Sequence, residues 1–158
     1  MNQLVLANHV VPCKEVPPPD CKCLYQIQKA ILGCGKNPGC TKLPHLECCG
    51  FYQIADHVYQ RAGCPVKGGG CLKKEICENK NCEDFKRYWR ECANCWRCST
   101  TIMNNFRHFY AKEIEHCDGD TPCKKLLVAH VKGPEHCKEP IDEQYWKRFH
   151  DTSLCPCE

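Results

Sequence analysis

The sequence predicts a mostly α-helical, disulfide-rich single domain of five or six short helices. Three observations carry that prediction. Nineteen of the 158 residues are cysteine, apolar residues recur every three or four positions along most of the chain, and strand-like alternation is nearly absent. The cysteine share exceeds the roughly 8–10% at which a short chain reads as a disulfide scaffold, and a reducing compartment would not keep such bonds. The protein is therefore expected to be secreted and extracellular. Metal binding is the rival use of the thiols, since Cys92-Ala-Asn-Cys95-Trp-Arg-Cys98 has a C-x-x-C rhythm. Zinc modules pair two such knuckles at set distances, and no second pair lies elsewhere in the chain. Structural disulfides are expected, with no metal and no cofactor.

Residues 1–20 read as an N-terminal extension with a Pro-rich segment, Pro17-Pro-Pro19. Residues 1–7 are apolar but lack a charged n-region and a long h-region, so they do not read as a signal peptide. A signal already removed, with a non-native Met1, is the expectation. Residues 21–158 form the domain proper. Asp20 is placed to cap a first helix, whose apolar positions Leu24, Ile27 and Ile31 share a face and which Gly33 ends. Phe51, Ile54, Ala55 and Val58 predict a second helix that stops at Gly63. A cysteine-bounded insertion follows at about 64–82. Its Gly68-Gly-Gly70 has no following Lys-Ser/Thr and reads as plain linker rather than a phosphate loop.

Phe85, Tyr88, Trp89 and Cys92 mark a third helix, and Ile102, Phe106, Phe109 and Tyr110 a fourth capped by Ser99. Thr121-Pro122 predicts an N-cap with proline at the first helical position, and Gly133-Pro134 closes that helix. Ile141, Tyr145, Trp146 and Phe149 belong to a last one. The length suits one domain. The longest apolar runs, such as Leu126-Leu-Val-Ala129, fall far short of the ~20 residues that span a bilayer. A net charge of +3 with both signs interspersed gives no basic stripe for nucleic acid.

Two stretches of sequence carry a resemblance. Cys49-Gly-Phe-Tyr-Gln-Ile54 stands nine residues after Cys40, and Cys123, His130, Gly133-Pro134, Cys137 and Tyr145-Trp146 follow in one register. These words in this order resemble the invertebrate-type lysozyme family, which includes the destabilases, over roughly residues 13–155. The family implies an α+β lysozyme-like fold and glycosidase chemistry. That chemistry needs a carboxylic acid to protonate the leaving oxygen and a second carboxylate as nucleophile or stabiliser.

In the family the glutamate follows a C-x-C pair, here Cys21-Lys-Cys23, and counting lands on Gln26, or on Gln28 with the gap shifted. The family's aspartate position falls on Leu43. The Ser and Lys positions of its isopeptidase activity fall on Leu46, Cys48 and Ala55, which leaves no nucleophile or activating amine of the family's kind. His130 alone survives from the family's polar site. The expectation is therefore a lysozyme-like protein that is not an enzyme, having lost both activities, with no catalytic residues.

Three uses remain open. Gln26, Tyr52 and His130 can bind a glycan of the peptidoglycan or chitin type by hydrogen bonding and stacking, since binding needs no proton transfer. Alternatively the stapled scaffold presents a surface to another secreted protein, as toxins and inhibitors do, with the insertion at 64–82 as the contact region. The third use is hydrolysis by a relocated acid, Glu47, Glu15 or Asp20. The odd cysteine count also leaves at least one thiol unpaired within the chain. Cys157 and Cys48 are the candidates for a disulfide-linked homodimer.

Overall fold

The structure, a computed structural model, describes residues 8–152. Its first helix forms as its caps dictate. The Asp20 carboxylate accepts the Cys23 N–H at 3.1 Å to open α1 (Cys21–Leu32), and the Gly33 N–H returns to the Lys29 carbonyl to close it. Leu24, Ile27 and Ala30 bury the inner face of α1. Lys29 is buried too, its Nζ 2.7 Å from the carbonyl of Asp151.

The next stretch corrects the expectation of a helix through Phe51 and Ile54. β2 (Cys40–Leu43), β3 (Leu46–Cys49) and β4 (Ile54–Ala55) form an antiparallel sheet, in the register Cys40↔Cys49, Leu43↔Leu46 and Cys48↔Ala55. Pro44 and His45 make the two-residue turn, and a Cys40–Cys49 disulfide staples the hairpin across its strands. Strands of two to four residues are too short to show alternation. Positive φ at Gly50 (81°) and Gln53 (48°) keeps the chain out of a helix until α2 (Asp56–Arg61).

β1 (Val10–Val11) pairs with β5 (Cys71–Leu72), and a Cys13–Cys71 disulfide locks the pair. Gly68-Gly-Gly70, read as plain linker, is a tight turn in which Val66 donates to the Gly70 carbonyl and Gly69 to that of Val66. After α3 (Lys74–Cys77) come α4 (Glu83–Ala93), α5 (Trp96–Phe109), α6 (Ala111–Glu115), α7 (Pro122–Lys132) and α8 (Glu143–His150). Ser99 does not cap α5. It sits inside the helix, buried, its hydroxyl on the Trp96 carbonyl at 3.0 Å. α7 follows its prediction, with Thr121 Oγ1 accepting the Lys124 N–H and Pro122 at the first turn. Eight helices lie among the described residues. α3 and α6 are single turns that carry no periodic signal of their own.

Ile27, Tyr59, Phe85, Tyr88, Ile102, Phe106, Leu126 and Leu127 make one core between the helices. The Cys23–Cys123 bridge joins α1 to α7 across 100 residues of sequence, and Cys64–Cys77, Cys92–Cys98 and Cys117–Cys137 close shorter loops. Cys34 is also bonded, while Cys21, Cys48, Cys82 and Cys95 keep free thiols. Cys157 lies outside the described residues.

Gly50 marks the tightest approach among the described glycines, because a Cβ there would stand 1.7 Å from the Ala93 carbonyl oxygen at the end of α4. Gly39 has a similar φ of 73° with nothing within 4 Å of such a Cβ. Gly39→Ala is expected to cost about 1 kcal/mol, the left-handed penalty alone. Gly50→Ala is expected to cost at least about 3 kcal/mol or to prevent folding, because backbone must move as well. Urea denaturation followed by circular dichroism measures both.

Candidate functional site

The turn between β3 and β4 is held from several sides. Gly50 lies against the end of α4, and Gln53 turns its amide nitrogen back onto the Gly50 carbonyl at 2.8 Å. From α4 the Trp89 indole donates to the Ile54 carbonyl at 3.1 Å, and from α7 His130 Nε2 donates to the Tyr52 carbonyl at 2.6 Å. Each contact satisfies a backbone or side-chain group that burial would otherwise leave unpaired. The residues Cys49-Gly-Phe-Tyr-Gln-Ile54 and His130 are thus one structural unit.

Beside this unit runs a groove of about 460 Å³. Thr41, Leu43, Leu46 and Cys48 of the hairpin line one side, and Val131 of α7 with Tyr145 of α8 line the other. Tyr52, His57 and His130 also face it. Past Leu43 and Leu46, which both spaces share, a second recess of about 370 Å³ carries the carboxylates of Glu47 and Asp56. Glu47 is gripped by Arg90, with Nε at 2.8 Å and Nη2 at 3.3 Å.

The electrostatics follow from burial. Desolvation pushes the His130 imidazole down to about 4, against a partial rise from its bond to Tyr52 and a further lowering by His57. The ring is therefore neutral near pH 7 with its proton on Nε2, which leaves Nδ1 as a buried acceptor without a partner among the described residues. Tyr52 is fully buried, its hydroxyl 3.2 Å from Thr100 Oγ1, and burial pushes its phenol up to about 12. The Cys48 thiol is raised by burial and then by Asp56 and Glu47, so it stays protonated. Burial and Arg61 lower His57, partly offset by Asp56.

Of the residues read from sequence as a binding set, Tyr52 and His130 meet at the groove, and Gln26 does not line it. Gln26 is half-buried on α1. Tyr52 offers the groove a fixed backbone rather than an open ring, because its ring stacks on Trp96 at 6.1 Å. Leu43, at the family's aspartate position, is 53% exposed at the groove rim, and Leu46, Cys48 and Ala55 all line the groove. Among the relocated-acid candidates, Asp20 is the cap of α1, Glu15 is exposed, and Glu47 stands in the adjoining recess. Cys40, Glu47 and Cys49 bring three metal-type donors within 4.8 Å, but both sulfurs are in a disulfide and cannot ligate as thiolates. Sequence reading missed Asp56 and His57. They lie two and three residues beyond the Cys49–Ile54 motif, and that closeness was the available signal.

The Destabilase family model matches residues 20–152. Invertebrate-type lysozyme 3 of Caenorhabditis elegans is 30% identical over 135 residues, spanning 85% of this chain and 86% of that one. Among solved structures, the Meretrix lusoria lysozyme in complex with Aeromonas hydrophila PliI is similar with a TM-score of 0.56 at 26% identity, covering 81% of this chain and 85% of that chain. The Tapes japonica lysozyme shares the fold with a TM-score of 0.60 at 23% identity, covering 85% of this chain and 92% of that chain. The chain belongs to the Destabilase family and is similar to its invertebrate-type lysozymes. These relatives are named as lysozymes, which are enzymes, and that overturns the expectation of a protein that is not an enzyme. Gln26 and Leu43 alone do not establish a loss of activity, because other carboxylates stand beside the groove.

The His130 bond carries a pH signature. A histidine held near 4 in the fold and near its ordinary 6.5 when unfolded stabilises the fold fully above 6.5, and that contribution fades as pH falls toward 4. The loss is expected to be on the order of 3 kcal/mol for a shift of this size. His57 acts in the same direction. Denaturation midpoints measured from pH 7 to pH 4 are expected to fall steeply in the natural chain and less steeply in His130→Gln.

Proposed function

We propose that this chain is a secreted, glycan-directed protein that holds a peptidoglycan- or chitin-type chain in the groove between the β2–β3 hairpin and α7. The observation that carries this reading is the groove itself, whose wall is fixed by the His130–Tyr52 bond in a family of lysozymes. Its lining mixes hydrogen-bonding groups on Thr41, Gln53 and His57 with apolar carbons of Leu43, Leu46 and Val131. A pyranose presents the same mixture, with hydroxyls around its edge and C–H groups on its faces. Secretion is supported by the number of cysteines in disulfides.

The second, finer reading is hydrolysis of the glycan so held, favoured by the lysozyme relatives and by Glu47 and Asp56 in the recess that continues the groove past Leu43 and Leu46. Arg90 donates to both oxygens of Glu47 and fixes its position, which suits the stabilising or water-activating carboxylate of a glycosidase rather than its proton donor.

The two readings share one experiment. Chitin oligomers and peptidoglycan fragments are expected to bind the natural chain and to fail with Thr41→Tyr, which fills the groove from an exposed position. Reducing-sugar release run on the same samples reads turnover. Any such release is expected to drop about 100-fold or more in Glu47→Gln if that carboxylate acts in the chemistry. An absence of binding by isothermal calorimetry would sink the glycan reading.

Cys48 gives a further check. Its thiol lines the groove, so a disulfide through it to a second copy would fill the space a glycan needs. Alkylation of Cys48 with a bulky maleimide is expected to abolish oligomer binding, and Cys48→Ser is expected to bind normally with or without the reagent.

A further inference from the structure

Trp96 is the most exposed of the three tryptophans, at 46%, although it opens α5 beside a well-packed core. The exposure is not slack. Phe51 meets the indole edge-on at 5.4 Å and 86°, while the Tyr52 ring lies nearly parallel to it at 6.1 Å and 17°. Neighbours therefore fix the plane of the indole on two sides while much of its surface stays open to solvent. Its N–H has no hydrogen-bond partner among the described residues, and no cation sits over its ring there. Trp89 and Trp146, by contrast, each carry a cation over the ring, Arg90 at 5.6 Å and Lys124 at 5.9 Å.

The position of the ring matters as much as its exposure. Tyr52 belongs both to the groove lining and to the aromatic stack under Trp96, so the indole, itself outside that lining, is in contact with a residue of the groove. A rigid aromatic plane with an unused N–H presents a large amphipathic contact at little entropic cost, because its rotamer is already set. Sugar rings fit such a plane, their axial C–H groups against the π-face and a hydroxyl accepting from the indole N–H.

We propose that Trp96 is a stacking platform for an additional pyranose of a glycan chain, extending the groove beyond Tyr52. The platform rests on the glycan reading of the groove. It binds the residues of a longer oligosaccharide that a short one does not supply, so it sets a preference for chain length.

The test titrates a chitin disaccharide and a chitin hexasaccharide into the natural chain, Trp96→Ala, Trp96→Phe and Thr41→Tyr, reading affinity by calorimetry and indole emission by fluorescence. The platform predicts tighter binding of the hexasaccharide than of the disaccharide. Trp96→Ala is expected to lose roughly five- to tenfold in hexasaccharide affinity, the scale of one aromatic stacking contact, and to bind the disaccharide unchanged. Trp96→Phe is expected to recover part of the loss. Hexasaccharide binding to the natural chain is expected to shift the tryptophan emission to the blue, and that shift is expected to vanish in Trp96→Phe. Equal hexasaccharide affinity in Trp96→Ala and the natural chain overturns the platform while leaving the groove reading in place. Binding of neither sugar by the natural chain, or full binding by Thr41→Tyr, overturns the groove reading and the platform with it.

Discussion

The hydrogen bond from His130 to the Tyr52 carbonyl joins two parts of the chain that are 78 residues apart, and the groove depends on it. On one side is a turn with two left-handed residues, Gly50 and Gln53, too short to hold itself. On the other is α7, capped at Thr121 and tied to α1 by the Cys23–Cys123 bridge. A protonated imidazole at this site would be a buried charge with no counter-ion beside it among the described residues. Desolvation excludes that form near neutral pH, and the neutral tautomer with its proton on Nε2 is the one that satisfies the carbonyl. Trp89 fixes the Ile54 carbonyl, two residues further along the same segment, in a similar way. The groove wall is thus made rigid by side-chain donors on two helices rather than by a long sheet.

This explains what the shared sequence words encode. In Cys49-Gly-Phe-Tyr-Gln-Ile54 the cysteine staples the hairpin, the glycine permits contact with the Ala93 carbonyl, and the glutamine closes the turn on Gly50. In the later stretch His130 clamps the turn and Cys137 closes a loop onto Cys117. Each is a folding role. None of these roles calls on Leu43, Leu46, Cys48 or Ala55, which line the groove. Matching words therefore identify the fold and the family, whereas activity depends on which carboxylates stand by the groove. Counting from the family's acid positions does not find Glu47 and Asp56, which reach the adjoining recess from β3 and from the first turn of α2.

Much of the helical framework was legible from sequence because its signals are local. Asp20 and Gly33 bound α1, and Thr121-Pro122 and Gly133 bound α7, through caps that act within one turn. The hairpin was not legible, since Phe51, Ile54, Ala55 and Val58 match a helical spacing by coincidence across a turn and a two-residue strand. Ser99 misled for a related reason: a serine can bond back to a carbonyl inside a helix as well as cap one, and Cys95 holds the cap position instead. At the site, His130 and Tyr52 were legible as members of the motif, yet the bond between them depends on tertiary approach. The exposure of Trp96 was not visible either, because helical spacing alone does not show which aromatic side chain the core leaves outside.

The most direct test of the account is chemical-shift mapping of a chitin oligomer titrated into isotope-labelled protein at neutral pH. The largest changes are predicted at the amides of residues 41–57, at the His130 imidazole and along the α7 segment from His130 to Gly133. Changes confined to the separate recess lined by Lys14, Gln60 and Phe109, or no changes at all, would contradict the claim that the clamped turn and α7 form a glycan-binding groove.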